Sequence, residues 1–301
     1  MAESSFKPIT SCVFPVAGLG TRFLPATRNI PKEMLPLIDR PIIEYGVEEA
    51  VATGCSRMIF ITREGKESIR DYFLPSSELE FFKKNNENIE NADRMRCLFA
   101  PSQFEFVTQQ HPKGLADAVY QAKEAVLDED YFGLMLPDDV VLAEPHLLAQ
   151  LEKVRKQMGG SVLALERVPW SETHRYGIVE ESGEVSGCPG VHRISGLVEK
   201  PKPGKAPSNL AIIGRYVLSS NVFGHIERIE LGSNNEYQLT DALRLLIEEE
   251  PLWGVEYKGE RLDCGTVSGW IAATVRMAMR DKELCRSVIE ACEKEGYSVR
   301  Q

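Results

Sequence analysis

The segment Phe14–Pro36, F-P-V-A-G-L-G-T-R-F-L-P-A-T-R-N-I-P-K-E-M-L-P, constrains this chain more than any other. An apolar run, Cys12–Val16, leads straight into a glycine-bearing turn, Gly18-Leu19-Gly20; Thr21 and Arg22 follow at once, and Lys32 comes a short stretch later. Glycine accepts positive φ and leaves room for a ligand to touch the main chain. That order suits a backbone approaching a nucleotide closely while Arg22 and Lys32 reach its phosphates. Taken alone, a G-x-G after a strand is often only a tight turn. Phe23 stands where a dinucleotide fingerprint has its third glycine, and no Gly-Lys-Ser/Thr follows to complete a Walker-type phosphate loop.

Short apolar or β-branched runs alternate with longer amphipathic ones, the pattern of an α/β fold with a mostly parallel sheet flanked by helices. The runs Cys12–Val16, Met58–Thr62, Glu105–Thr108 and Gly133–Leu136 read as strands. Ile42–Thr53, Glu67–Phe73, Leu115–Leu127 and Leu147–Gln157 read as helices, with Gly54 and Gly159-Gly160 as stops and a weaker helix at Glu78–Asn85. The second half shifts towards strand: Ser161–Arg167, Tyr176–Glu181, Arg193–Glu199, Ala211–Leu218 and Val255–Tyr257. Loops rich in Gly and Pro are expected at Ser182–Gly190 and Pro201–Pro207, a helix near Thr240, and a long one from about Val267. With no repeat or low-complexity linker, a single domain is expected over 1–301. Its nucleotide-binding part would span about 10–160, a smaller sugar-phosphate part about 161–265, and a C-terminal helical part about 266–301.

The formal charge of −10 argues against a broad nucleic-acid surface, which needs clustered excess Lys and Arg. It also makes local cations informative, because an anionic substrate must be captured against an unfavourable overall field. The seven cysteines are scattered, with no C-x-x-C pair, so neither a disulfide framework nor a zinc ribbon is indicated. The N-terminal M-A-E-S-S-F-K-P has no signal-peptide core and no apolar run is long enough to span a bilayer; a cytoplasmic enzyme is the expectation.

Leu136-Pro137-Asp138-Asp139 closes a strand, where ligands of open α/β sheets collect. Asp138 there can hold Mg²⁺ through hard oxygens while substrate phosphates complete the shell, or the pair can simply cap a turn. Asp263, in Leu262-Asp263-Cys264-Gly265-Thr266, is either a second metal carboxylate or a loop residue. In Val198-Glu199-Lys200-Pro201, a lysine before proline is expected in extended geometry, aimed at a phosphate, and Glu199 can accept from sugar hydroxyls; an exposed strand end is the plainer alternative. Gln109, before Gly114 and a helix, could read a pyrimidine edge with its amide or merely cap a polar loop. The five histidines show no metal-binding spacing, and no G-x-S-x-G elbow offers an acyl-transfer serine. A reaction in which the substrate itself attacks fits that absence.

On these residues the chain resembles the bacterial UTP–glucose-1-phosphate uridylyltransferases (UDP-glucose pyrophosphorylases), from about Val13 to Arg280. The most specific segments are P-V-A-G-L-G-T-R-F-L-P-A-T and I-P-K-E-M-L-P, supported by L-P-D-D, Y-G-I-V, V-E-K-P, P-S-N-L-A-I-I-G-R-Y and E-Y-Q-L-T-D-A. The resemblance implies a Rossmann-like nucleotidyltransferase, assembled as a homodimer or homotetramer. Its substrates would be UTP and glucose 1-phosphate, its products UDP-glucose and pyrophosphate, and its cofactor Mg²⁺. At matching positions it implies Ala17, Gly18, Gly20, Glu33, Gln109 and Gly114 around the nucleotide, Arg22 and Lys32 on the triphosphate, and Asp138 with Asp263 on the metal. Gly177, Glu199, Lys200, Asn209 and Gly214 would address glucose and its phosphate. One departure is Asn234-Asn235-Glu236, where the family usually carries Gly-Asp-Glu. Thymidylyl- or other hexose-1-phosphate nucleotidyltransferases are the rival enzymes, although their first motif typically runs G-G-S-G-T-R with a later K-Q-L-L-P. A non-catalytic sugar-nucleotide-binding paralogue is the rival of another class.

Overall fold

The structure, a computed structural model, describes residues 7–74, 102–232 and 235–297. The expected helix at Glu78–Asn85 lies outside them, as do Cys97 and Asn234. In chain order the strands are β1 (Ser11–Pro15), β2 (Pro36–Leu37), β3 (Arg40–Pro41), β4 (Arg57–Thr62), β5 (Gln103–Thr108), β6 (Tyr131–Met135) and β7 (Asp139–Leu142). They continue with β8 (Ser161–Arg167), β9 (Gly177–Glu184), β10 (Val191–Glu199), β11 (Leu210–Ser219), β12 (Leu252–Glu256) and β13 (Glu260–Asp263). The helices are α1 (Ile42–Thr53), α2 (Glu67–Phe73), α3 (Leu115–Tyr120), α4 (Leu147–Met158), α5 (Val222–Ile226), α6 (Leu239–Leu246), α7 (Val267–Ala278) and α8 (Lys282–Lys294).

Among the described residues nine strands form one sheet in the order β5-β4-β1-β6-β11-β8-β12-β10-β9. The first four are mutually parallel, and β11 then runs antiparallel to both β6 and β8. β12 is parallel to β8, and β10 is antiparallel to β12 and to β9. The parallel character is therefore concentrated in the first half, and the whole sheet is mixed.

β1 is buried on both faces, which is why it reads as an unbroken apolar run. Val13 belongs to the core under α3, α5 and α6, while Cys12 and Phe14 belong to the core under α1, α2 and α4. The chain leaves β1 for β4 on one side and later enters β6 on the other. Such a switch point opens a crevice beyond the strand ends. A third apolar cluster (Phe23, Leu35, Leu37, Ile42, Val140, Leu262 and Ala273) ties the segment after β1 to β7, β13 and α7. Trp270 Nε1 donates to the Pro36 carbonyl at 3.0 Å across that contact.

Several expected boundaries shift. The helix expected over Leu115–Leu127 stops at Tyr120 and continues as i→i+3 turns that keep Ala122 and Val126 buried. The long C-terminal helix breaks after Ala278, because Asp281 caps a new one by accepting from the Glu283 and Leu284 amides at 2.9 Å. β7 and β13, not expected as strands, pair with each other and set Asp139 opposite Asp263.

Candidate active site

A cavity of about 440 Å³ opens beyond the ends of β6 and β10 and over the middle of β11. Its lining includes Arg22, Asp138, Asp139, Gly177, Glu199, Lys200, Gly214, Arg261, Asp263 and Gly265. Residues far apart in the chain thus meet on one wall-to-wall space, and seven of the positions singled out in the sequence are among them: Arg22, Asp138, Gly177, Glu199, Lys200, Gly214 and Asp263.

The turn after β1 depends on its glycines. Gly20 sits at φ 64, and a Cβ there would lie 3.2 Å from the Thr27 side chain, whose hydroxyl donates to the Gly20 carbonyl at 2.7 Å. Arg22 follows in a short 3₁₀ turn (Thr21–Phe23), and its Nη1 donates to the Gly265 carbonyl at 3.4 Å. Ala17 is buried, and Gly18 faces the Lys32 stem, to which an added Cβ would come within 3.9 Å. Lys32 Nζ donates to Asp138 Oδ2 at 2.6 Å. Burial works against the Lys32 ammonium, but Asp138 outweighs it and holds the lysine above its ordinary range. The Asp138 carboxyl is likewise pushed up by burial and pulled below its usual range by Lys32.

Asp138 and Asp263 converge on Gly265. A Cβ at Gly265 would lie 3.0 Å from Asp263 Oδ1 and 3.2 Å from Asp138 Oδ2. The pair therefore leaves a small gap lined by hard carboxylate oxygens, the donor chemistry that Mg²⁺ takes when substrate phosphates supply further ligands. Among the described residues no cluster of three or more His, Cys, Asp or Glu could hold a metal alone.

The adjoining carboxylate, Asp139, is fully engaged. Its Oδ1 accepts from Arg261 Nε at 2.7 Å and its Oδ2 from the Gly214 amide at 3.0 Å. Burial pushes its carboxyl up against the pull of Arg261. Arg261 also donates to Glu166 at 3.3 Å and stands 3.9 Å from Asp263 Oδ2. Neither Asp139 nor Arg261 was singled out in the sequence. Alternation in β13 was the available clue, since positions 261 and 263 fall on one side of a strand. Cys264 is no nucleophile: burial, with Asp263 nearby, pushes its thiol up to about 12.

On the far wall, Glu199 accepts from the Thr240 hydroxyl at 2.6 Å and lies 3.3 Å from Lys200 Nζ. Gly177 faces both; a Cβ there would approach Glu199 Oε2 to 3.2 Å. The expected extended geometry of Lys200 is not found. Its φ is 42, because its amide is held by the Tyr176 carbonyl at 3.0 Å just where β10 ends and the chain turns into Pro201. Gly214 lies at a register shift in β11, where an added Cβ would meet Leu136 at 2.7 Å and Asp139 Oδ2 at 2.8 Å.

Other singled-out positions stand outside this cavity lining. Glu33 is buried in an ion pair with Lys66 Nζ at 2.8 Å, and Lys66 also donates to the Val16 carbonyl. Gln109 is buried at the end of β5, its amide nitrogen bonded to Asp117. Gly114, at φ 110, packs so tightly on Tyr237 that a Cβ would come within 2.5 Å of its carbonyl oxygen. Asn209 serves its neighbours instead of the cavity, accepting from Arg167 at 3.3 Å and donating to the Val168 carbonyl at 3.2 Å.

A mixed sheet with cations and paired carboxylates at its switch point is the architecture of a nucleotidyl transferase, and the family model described as "Nucleotidyl transferase" matches residues 15–279. The chain is 37% identical over 282 residues to the UTP–glucose-1-phosphate uridylyltransferase of Staphylococcus epidermidis, covering 94% of this chain and 96% of that one. It is 41% identical over 268 residues to the enzyme of that name from Pseudomonas aeruginosa, covering 88% and 95%. Among solved structures it is similar to a UDP-glucose pyrophosphorylase complexed with UDP-glucose, with a TM-score of 0.83, 38% identity, and 91% and 100% of the two chains covered. The chain belongs to the UTP–glucose-1-phosphate uridylyltransferase family of nucleotidyl transferases.

Proposed function

We propose that this chain transfers a uridylyl group from UTP to glucose 1-phosphate, yielding UDP-glucose and pyrophosphate with Mg²⁺ as cofactor. The observation that carries this reading is the meeting of Arg22, Asp138 and Asp263 with Glu199 and Lys200 around one cavity. The nucleotide lies over the part formed by about residues 10–160, and the sugar phosphate over about 161–265. The turn at Ala17, Gly18 and Gly20 brings the main chain to the base and ribose, and Gly114 packs the chain onto Tyr237 beside them. Gln109 presents its amide oxygen to uracil with its nitrogen held by Asp117, and Glu33 holds the floor of the turn through Lys66. Glu199 and Lys200 take glucose and its phosphate, with Gly177 leaving room beside Glu199 and Gly214 leaving room for the Leu136–Asp139 turn at the sugar side. Asn209 braces the strand behind them. The enzyme acts in the cytoplasm as a homodimer or homotetramer. Among the described residues no helix is long and apolar enough to cross a membrane.

The reaction joins two anions: a phosphate oxygen of glucose 1-phosphate forms a bond to the α-phosphorus of UTP as the bond to the bridging oxygen breaks and pyrophosphate leaves. Unit charges 4 Å apart repel by about 4 kcal/mol at an effective dielectric of 20, so neutralising them is the first requirement. Arg22 and Lys32 offset charge on the departing pyrophosphate, and Lys200 offsets it on the attacking phosphate. Held by Asp138 and Asp263, Mg²⁺ supplies further charge neutralisation at the phosphates. Alignment of attacker and leaving group contributes on the order of 7–11 kcal/mol. The attacking phosphate is already ionised near neutral pH, so no side-chain base is required.

The test is pyrophosphate release over a grid of nucleoside triphosphates and sugar 1-phosphates, with and without Mg²⁺. Turnover with UTP, glucose 1-phosphate and metal together is the expected result. Activity confined to dTTP would reassign the chain to thymidylyl transfer, and binding without turnover would make it a non-catalytic sugar-nucleotide binder.

A further inference from the structure

Arg175 lines the same cavity as Glu199, Lys200, Asp138 and Asp263, and uridylyl transfer as described gives it no task. It ends a short 3₁₀ helix (Trp170–Arg175) immediately before Tyr176 and β9. The last rung between β9 and β10 is Gly177 opposite Glu199, and beyond it the Lys200 amide donates to the Tyr176 carbonyl at 3.0 Å. Arg175 and Lys200 thus leave the paired ends of two neighbouring strands together, next to the carboxylate proposed to hold glucose.

Of the other cations lining the cavity, Arg261 is fully committed, to Asp139 at 2.6 Å and Glu166 at 3.3 Å, whereas Lys200 meets Glu199 at 3.3 Å and Arg22 the Gly265 carbonyl at 3.4 Å. The Arg175 side chain is 44% exposed; its Nη1 pairs with Glu172 at 3.0 Å and its guanidinium lies 5.6 Å from the Tyr176 ring centroid. Its Nη2 stands 3.9 Å from Asp263 Oδ2, beyond hydrogen-bonding distance, and meets no other acceptor among the described residues. A guanidinium with donors to spare matches a phosphate's paired oxygens better than an ammonium does.

Resting on the uridylyl-transfer reading, we propose that Arg175 binds the phosphate of glucose 1-phosphate, opposite Lys200, and that its Nη2 swings from the neighbourhood of Asp263 to do so. The two cations then grip the attacking phosphate from adjacent strand ends. Arg22 and Lys32 serve the triphosphate on the other side.

Calorimetric titration of the full chain with UDP-glucose and, separately, UTP tests this in the wild type, Arg175→Met and Arg175→Lys. UDP-glucose carries the phosphate in question and UTP does not. Arg175→Met is expected to weaken UDP-glucose about tenfold or more while leaving UTP within about twofold, with Arg175→Lys intermediate. The Michaelis constant for glucose 1-phosphate is expected to rise in parallel. Equal UDP-glucose affinity in wild type and Arg175→Met overturns the proposal, as does a loss confined to UTP. A wild-type chain that binds neither ligand overturns the uridylyl-transfer reading itself. Thermal unfolding of Arg175→Met at the wild-type temperature separates a lost contact from a lost fold.

Discussion

Lys32 Nζ lies 2.6 Å from Asp138 Oδ2, so the cation proposed for the triphosphate rests on the carboxylate proposed for the metal. Each holds the other charged: Asp138 keeps Lys32 protonated despite burial, and Lys32 keeps Asp138 ionised. Removing either partner has distinct consequences. Asp138→Asn is expected to abolish metal-dependent turnover and weaken Mg²⁺ binding. Lys32→Met is expected to lower turnover by about 10²–10³ while the remaining activity still depends on Mg²⁺. Magnesium titration of both variants checks the division, and unchanged metal binding in Asp138→Asn would assign the ion elsewhere.

Lys200 lies across the cavity, 3.3 Å from Glu199. Lys200→Ala is expected to depress turnover severely while UTP affinity stays near the wild-type value. Steady-state kinetics with equilibrium UTP binding provides the check, and near-normal turnover would remove Lys200 from the reaction.

Gly214 has no room for a side chain, since a Cβ would lie 2.7 Å from Leu136 and 2.8 Å from Asp139 Oδ2. Both neighbours belong to the Leu136–Asp139 turn that carries Asp138. Gly214→Ala is expected to cost about 1–3 kcal/mol of stability. It is also expected to lower activity more than that loss explains, because the turn is displaced. Chemical denaturation paired with kinetics on the folded variant separates the two effects.

Beneath the site, Arg215 and Glu49 form a fully buried ion pair at 3.0 Å. Arg215 also donates to the Leu136 and Gly214 carbonyls, at 3.1 and 3.0 Å. Arg215→Met leaves Glu49 buried without its partner and is expected to destabilise the fold by about 3–5 kcal/mol. Urea unfolding measures it directly; a change under about 1 kcal/mol would mean that the core relaxes around the carboxylate.

Glu256 binds Arg167 Nη2 and His192 Nε2, each at 2.7 Å. Burial raises its carboxyl, but the bonds from Arg167 and His192 outweigh it and hold Glu256 below the usual range. A depressed carboxylate contributes stability that is present above its unfolded value and lost as pH falls through the folded one. Unfolding midpoints measured from neutral to mildly acid pH are therefore expected to fall less steeply for Glu256→Gln than for the wild type. An identical slope would remove this carboxylate from the acid response.

The strand–turn–cation order at the front of the chain was legible because a doubly buried parallel strand leaves an unbroken apolar run and a tight turn demands glycine. The helix Ile42–Thr53 was legible for similarly local reasons, apolar spacing closed by Gly54 at φ 102. Asp138, Glu199 and Lys200 stood out because each ends or follows a strand run, where α/β sheets expose their ends. The pairing of β7 with β13 was invisible, as two short strands distant in sequence carry no shared pattern until register brings Asp139 opposite Asp263. For the same reason Arg175 and Thr240 surfaced only in three dimensions. Lys200 shows the limit most plainly: proline's local bias favours an extended residue, yet the hydrogen bond to Tyr176 draws it to φ 42. Local chemistry specified the residue types and the strands and helices that bear them. Which charges neutralise one another depended on strand pairing and burial, since electrostatic coupling follows distance and dielectric and not position along the chain.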